Sequence, residues 1–235
     1  MLREAGKFEA IEVRASDGVI GRVADLLFDD RFWHIRYFVI ATGDWLGGRR
    51  VLISPLAVPP NQGADDSLAV NLSRDQVRDS PNVDATVNLT REHELSLREY
   101  YRWPPYWGAS ITLSGDVMPE ALSPVSPPPE EDAAPGKSDE DPTPSEPEPP
   151  RDDAHLRGTR HVRGHSLVAT DGEIGHVEDF LIDQAHWQIR YLVVDTRNWW
   201  PGKKVVIAPL WLRRVSWSEE KVFVDLSRNA VRASP

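Results

Sequence analysis

Trp33-His34-Ile35-Arg36-Tyr37 and Trp187-Gln188-Ile189-Arg190-Tyr191 stand 154 residues apart and differ at one position. Working outward without a gap, the same offset pairs Ser16-Asp17-Gly18 with Thr170-Asp171-Gly172. It also pairs Trp45-Leu46-Gly47-Gly48-Arg49-Arg50-Val51 with Trp199-Trp200-Pro201-Gly202-Lys203-Lys204-Val205, and Val70-Asn71-Leu72-Ser73-Arg74 with Val224-Asp225-Leu226-Ser227-Arg228. Self-similarity at a fixed offset marks repeated structural units, so it outranks any local reading. The chain carries two copies of one module, in residues 1–81 and 158–235.

Inside each copy the punctuation is that of antiparallel sheet. Asp17-Gly18 and Asp171-Gly172 separate apolar runs, which predicts a tight hairpin of type I′, whose central residues need positive φ. Strands follow over residues 19–28 and 173–182, then 33–42 and 187–196. By period-two alternation Trp33, Ile35, Tyr37 and Val39 share the core face, as do Trp187, Ile189, Tyr191 and Val193. The opposite face, with Arg36 beside Phe38 and Ile40, is apolar enough to be partly covered, as in a small closed barrel. Short strands at 50–54, 68–72, 204–208 and 222–226 complete each module. Ser73-Arg74-Asp75-Gln76 has the pattern of a helix start, so one or two helical turns cap the unit.

Between the copies, residues 118–157 are acidic and proline-rich: 11 of the chain's 20 prolines fall there. Such a segment buries too little apolar surface to offset its ordering entropy, and it is expected to be a disordered spacer. It permits the modules to dock on each other, or to act independently. Residues 82–117 form an extension that only the first copy has. It carries Tyr100, Tyr101, Trp103, Tyr106 and Trp107, and five large aromatics in eight residues need a surface to pack on. With Trp199 and Trp200 these are the candidate interaction residues, whether for the second module, for another copy or for a partner protein.

Gly21-Arg22-Val23-Ala24-Asp25 and Gly175-His176-Val177-Glu178-Asp179, with the Ile-Arg-Tyr elements, Arg49-Arg50, Lys203-Lys204, Pro55-Leu56 and Pro209-Leu210, resemble the PRC-barrel family over nearly the whole of both copies. That family includes the cytoplasmic part of the photosynthetic reaction-centre H subunit, the C-terminal domain of ribosome maturation factors and many stand-alone bacterial proteins. The resemblance implies an all-β chain: two small PRC-type β-barrels, each with a short C-terminal helix, joined by the linker. It further implies a scaffold or adaptor for protein–protein interaction, not an enzyme. An accessory of a reaction centre or membrane electron-transfer complex is one alternative, and an RNA-processing or ribosome assembly factor is another. No membrane helix precedes the first copy, and neither does a separate domain, so the stand-alone tandem type fits best.

Composition narrows the chemistry. There is no cysteine, which excludes disulfides, thiolate zinc sites, iron–sulfur clusters and cysteine nucleophiles, and suits a reducing, cytoplasmic setting. The net charge of −10 concentrates in residues 118–157, which carry −8, against −4 for residues 1–117 and +2 for residues 158–235. Neither module has the basic excess that nucleic acid demands, so Arg49-Arg50, Lys203-Lys204 and Arg213-Arg214 read as strand-edge protection. No apolar run approaches the roughly 20 residues that span a bilayer.

Two constellations invite chemistry. Asp25 with Asp29, and Asp179 with Asp183, have the makings of an acid–base pair. The structural reading is better: Asp29-Asp30 closes a turn, and Asp25 pairs with an arginine such as Arg36. His155, His161 and His165 contain zinc-ligand side chains, but the first copy has no matching histidines. No catalytic residue, metal site or cofactor is assigned.

Overall fold

The computed structural model describes residues 1–60, 67–82, 89–106, 155–196 and 203–233. The linker up to residue 154, and Trp107, Trp199 and Trp200, lie outside them. The first repeat contains β1 (Leu2–Glu4), β2 (Glu12–Ala15), β3 (Gly18–Asp29), β4 (Ile35–Ala41), β5 (Arg50–Ile53), β6 (Ser67–Ala69) and α1 (Arg74–Arg78), followed by α2 (Arg91–Tyr101) in the extension. The second contains β7 (Leu156–Gly158), α3 (Thr159–Val162), β8 (Ser166–Ala169), β9 (Gly172–Asp183), β10 (Gln188–Asp195), β11 (Lys204–Ile207), β12 (Leu212–Ser216), β13 (Lys221–Val224) and α4 (Arg228–Ala233). The chain is thus mainly β with short helices. None of the described helices is long and apolar enough to cross a membrane.

Two sheets form, in the orders β5-β4-β3-β2-β6 and β11-β10-β9-β8-β13-β12. Neighbours are antiparallel except for the parallel pairs β2–β6 and β8–β13. Among the described residues each order is an open path and not a closed ring, which departs from the closed barrel expected.

The repeats exchange their first strands. β1 pairs with β9, Leu2 opposite Asp183, while β7 pairs with β3, Leu156 opposite Asp29. The two registers map onto each other at the 154-residue offset, so the halves are related by a pseudo-twofold axis. His34 bridges Gln188, its own repeat mate, as a residue near that axis must. Beside them Ile35 donates its N–H to the Trp187 carbonyl at 2.7 Å, and Ile189 donates to that of Trp33 at 2.8 Å. Both tryptophans adopt positive φ, 61° and 52°, a conformation bulky residues hold only when packing imposes it. Phe28 stacks on Trp33 and tilts against Phe180, so one continuous core spans both repeats. β7 therefore opens inside the stretch assigned to the linker, and the modules are docked.

The paired Gly-x-Val-x-Asp motifs explain how this assembly closes. A Cβ on Gly21 would collide with the Ala41 carbonyl oxygen, and one on Gly175 with that of Asp195. Glycine is needed where β3 and β9 pass so close. Asp25 does not pair with Arg36. It accepts from the Thr159 hydroxyl at 2.9 Å and the Arg160 N–H at 3.1 Å, both on α3 of the other repeat. Asp179 accepts from the Gly6 N–H at 3.1 Å and from Arg163 at 2.9 Å, and Gly6 is the mate of Arg160 at the repeat offset. Each aspartate pins the segment it receives.

Two local expectations are corrected. In the first hairpins only Gly18 and Gly172 take positive φ, 148° and 133°, so the turn is not type I′. Asp17 and Asp171 instead accept from the N–H groups of Arg74 and Arg228, each at 2.8 Å, at the starts of α1 and α4. The face assignment along β4 also changes midway. Phe28 lies opposite Ile35 and Leu27 opposite Tyr37, leaving Arg36 as an extra bulged residue. The bulge inverts the alternation: Trp33, Ile35, Phe38 and Ile40 enter the shared core, while Tyr37 and Val39 point to the outer face. Arg190 produces the same inversion in β10.

Candidate interaction site

The outer faces of the two sheets carry matched residues at the repeat offset: Leu27, Tyr37, Val39, Leu52 and Leu156 on the first, and Leu181, Tyr191, Val193, Val206 and Leu2 on the second. On the first sheet α2 lies over them. Thr90 caps its N-terminus by accepting from the His93 N–H, and Arg102, at φ 58°, ends it before Pro104-Pro105. Glu94, Leu97, Arg98 and Tyr101 recur at helical spacing, so they face the sheet together. Leu97 is buried with Leu89 against Tyr37, Val39 and Leu52, and Tyr101, Trp103, Leu27 and Leu156 pack on the same cluster.

A polar knot closes one end of this layer. Glu94, fully buried, accepts from the hydroxyls of Tyr37 at 3.2 Å and Tyr106 at 2.6 Å, and its other oxygen lies 2.7 Å from His155 Nε2. Its place in the first turn of α2 sets the carboxylate against the positive helix end. Burial, and then the neighbouring Glu94 charge, push Tyr37 and Tyr106 well above the ordinary phenol range. Both hydroxyls therefore stay protonated and donate. Arg36 lies 3.9 Å and Arg98 4.4 Å from the Tyr106 ring centroid, an attractive cation–π geometry. The knot joins the first sheet, the extension and the segment leading into the second repeat.

Of the interaction residues expected, the structure brings together Tyr101 and Trp103, stacked at 4.3 Å, with Tyr100 edge-on to Tyr101. Burial pushes Tyr101 up to about 12. Tyr100 is more exposed and donates to the Gln76 carbonyl at 2.9 Å. These aromatics pack on their own sheet, and Tyr106 reaches His155. Sequence reading missed Glu94, Arg98 and Tyr37 as members of one site; the spacing from Glu94 to Tyr101 was the available signal.

The second sheet has no such cover among the described residues. Tyr191 is 36% exposed where Tyr37 is 0%, Val206 39% where Leu52 is 2%, and Leu2 46%. Trp211, 40% exposed, stands beside Val206 at a shallow recess of about 230 Å³ that also touches Ala230 on α4. A larger groove of about 590 Å³ runs where the repeats meet, walled by Phe8, Pro55, Pro104, Tyr106 and Trp187. Its charged side chains are engaged already: Arg36 with Asp29 at 2.5 Å, Arg98 with the Pro104 carbonyl, Arg3 with the Lys7 carbonyl, His186 with Asp183.

The other candidates resolve structurally. Asp29 also accepts from the Phe32 N–H, closing its turn, and Asp183 accepts from Ala185, His186 and Arg190. His161 and His165 lie together with ring centroids 5.5 Å apart, while His155 belongs to the Glu94 knot. No group of metal-ligating side chains is found among the described residues. Arg49 donates to the carbonyls of Arg78, Ser80 and Pro81, and Lys204 pairs with Glu178. No protein-family model matches the chain, and no curated protein matches it.

Proposed function

We propose that this chain is a non-enzymatic, PRC-barrel-like scaffold that engages a protein partner through the outer face of its second sheet. The reading rests on the exposed Leu2, Tyr191 and Val206, set where their mates in the first repeat, Leu156, Tyr37 and Leu52, pack in the cluster under α2. Contiguous apolar surface of this kind marks interaction sites in folded proteins. Two further features support a scaffold over a catalyst. The acidic pairs that could act as acid and base are occupied in holding backbone and arginine groups, and the motif glycines and aspartates play the same architectural part in both repeats.

The test is quantitative co-purification with tagged wild type and with a Tyr191→Asp/Val206→Asp double variant. A stoichiometric partner recovered by the first and lost by the second is expected. An identical partner set from both baits would sink the reading. The identity of what is recovered, whether a membrane complex, a ribosomal particle or neither, sorts an adaptor from an accessory of electron transfer or of ribosome assembly.

A further inference from the structure

The outer face of the second sheet keeps the side chains by which its sister anchors a helix. On the first sheet Tyr37 donates to Glu94 of α2, and Arg36 lies under the Tyr106 ring just beyond it. The second sheet repeats both residues as Tyr191 and Arg190, on the same side of the same bulge, and both are exposed. Around them Leu181, Val193, Val206 and Leu2 repeat the apolar floor on which Leu97 sits.

We infer that this face binds an amphipathic α-helix supplied by a partner protein, an inference that rests on the scaffold reading above. The helix carries an acid to accept from Tyr191, an apolar side chain three residues on to meet Val206 above the nearly buried Val193, and an aromatic seven residues on. Those are the spacings of Glu94, Leu97 and Tyr101 in α2, which lie on one helix face.

Departures between the sister faces define how the partner's helix differs from α2. Glu178 replaces Ala24, which packs in the covered cluster of the first repeat. One Glu178 oxygen pairs with Lys204 at 2.7 Å, and the other is buried without a hydrogen-bond partner. A buried carboxylate oxygen is costly to leave unpaired, so the partner presents a donor there, from a basic or amide side chain. Valine at 206 is smaller than Leu52 at the matched position, and the recess beside it opens toward Trp211 and α4. A second copy of this chain is a poorer occupant, because its own α2 is held down by Tyr37, Tyr106 and His155.

The probe is a fluorescein-labelled peptide of residues 89–106, titrated into the full-length protein and followed by anisotropy. Saturable binding is expected, weakened at least about tenfold by Val206→Asp in the protein or Leu97→Asp in the peptide, the scale on which a helix anchor acts. Tyr191→Phe, which removes only the hydroxyl, weakens it less and guards against misfolding of the charged variant. Binding that is absent, or indifferent to Val206→Asp, overturns the inference. Sedimentation velocity of the protein alone is expected to show a monomer. A dimer that Val206→Asp dissolves would make the occupant a second copy, overturning the helix while leaving the scaffold reading intact. Loss of the co-purified partner from the Tyr191→Asp/Val206→Asp bait, with no peptide binding, would separate the two in the same way.

Discussion

The two repeats share a buried face and differ in the outer one. At the shared core, matched residues do matched work: Asp25 and Asp179 pin the exchanged segments, Gly21 and Gly175 admit a close carbonyl, and the Trp33 and Trp187 carbonyls accept from Ile189 and Ile35 across the axis. On the outer faces the same sheet positions have diverged in their surroundings, sealed by α2 on one side and, among the described residues, without such a cover on the other. The matched core positions form a symmetric frame, and α2 breaks that symmetry by covering one outer face. The buried halves of the pattern answer to stability, so the open half is where a partner is sought.

The sharpest way to break that comparison is to make the same change at sister positions. Leu52→Ala removes a buried side chain under α2 and is expected to cost about 2–4 kcal/mol. Val206→Ala, at a site 39% exposed, stays within about 0.5 kcal/mol, as surface changes do. Urea denaturation of the two variants measures the gap, and equal losses would mean that the second face is covered in solution. The glycines test the shared half. Gly21→Ala and Gly175→Ala each drive a methyl into a carbonyl oxygen, and each should cost about 3 kcal/mol, overpacking of backbone being hard to relieve. Because the exchanged strands weld both sheets into one core, either change should lower a single unfolding transition. Two separated transitions would show that the halves unfold independently.

Much of the symmetric half was legible in sequence. The repeat offset, the positions of the main strands and the helix start at Ser73, which forms a reciprocal pair of hydrogen bonds with Gln76, all follow from sequence patterns, whereas the sheet orders with their parallel pairs do not. The exchanged strands do not, since three residues pairing with a distant strand leave no periodic trace; only the shared Leu2-Arg3 and Leu156-Arg157 extend the repeat that far upstream. The bulges at Arg36 and Arg190 were equally silent. An extra residue changes which face each later side chain occupies without changing the sequence pattern, so Tyr37 was expected in the core and lies beneath α2. The bare face was hidden for a related reason: Tyr37 and Tyr191 are the same residue in the same motif, and only the element above them differs.

A third test compares the two pins. Asp25→Ala strands the Thr159 hydroxyl and the Arg160 N–H, and Asp179→Ala strands the Gly6 N–H and leaves Arg163 with Glu9 alone. Each should cost about 1–3 kcal/mol, the penalty for leaving a partly buried donor, the Thr159 hydroxyl or the Gly6 N–H, without an acceptor, and urea midpoints read it. A loss confined to one of the two would show that only one exchanged segment is held by its aspartate.

The smallest effect is one of pH. His165 in the second repeat occupies the position of Ile11 in the first. It is buried, its Nε2 has no hydrogen-bond partner, and burial, with the nearby His161 charge, pushes its pKa below the ordinary 6.5 against the weaker pull of Glu220. Above pH 6.5 the imidazole is neutral whether the chain is folded or not, and the full stability is present. As pH falls through 6.5 the unfolded chain takes up a proton that the folded chain does not, so stability declines until the lowered folded value is reached. His165→Ile, which installs the first repeat's own residue, should flatten the fall in urea midpoint between pH 7.5 and pH 5.5. Some slope should persist from His34, which burial also pushes down. An unchanged slope in the variant would show that His165 already reaches solvent, and that the second repeat is looser around it than its burial implies.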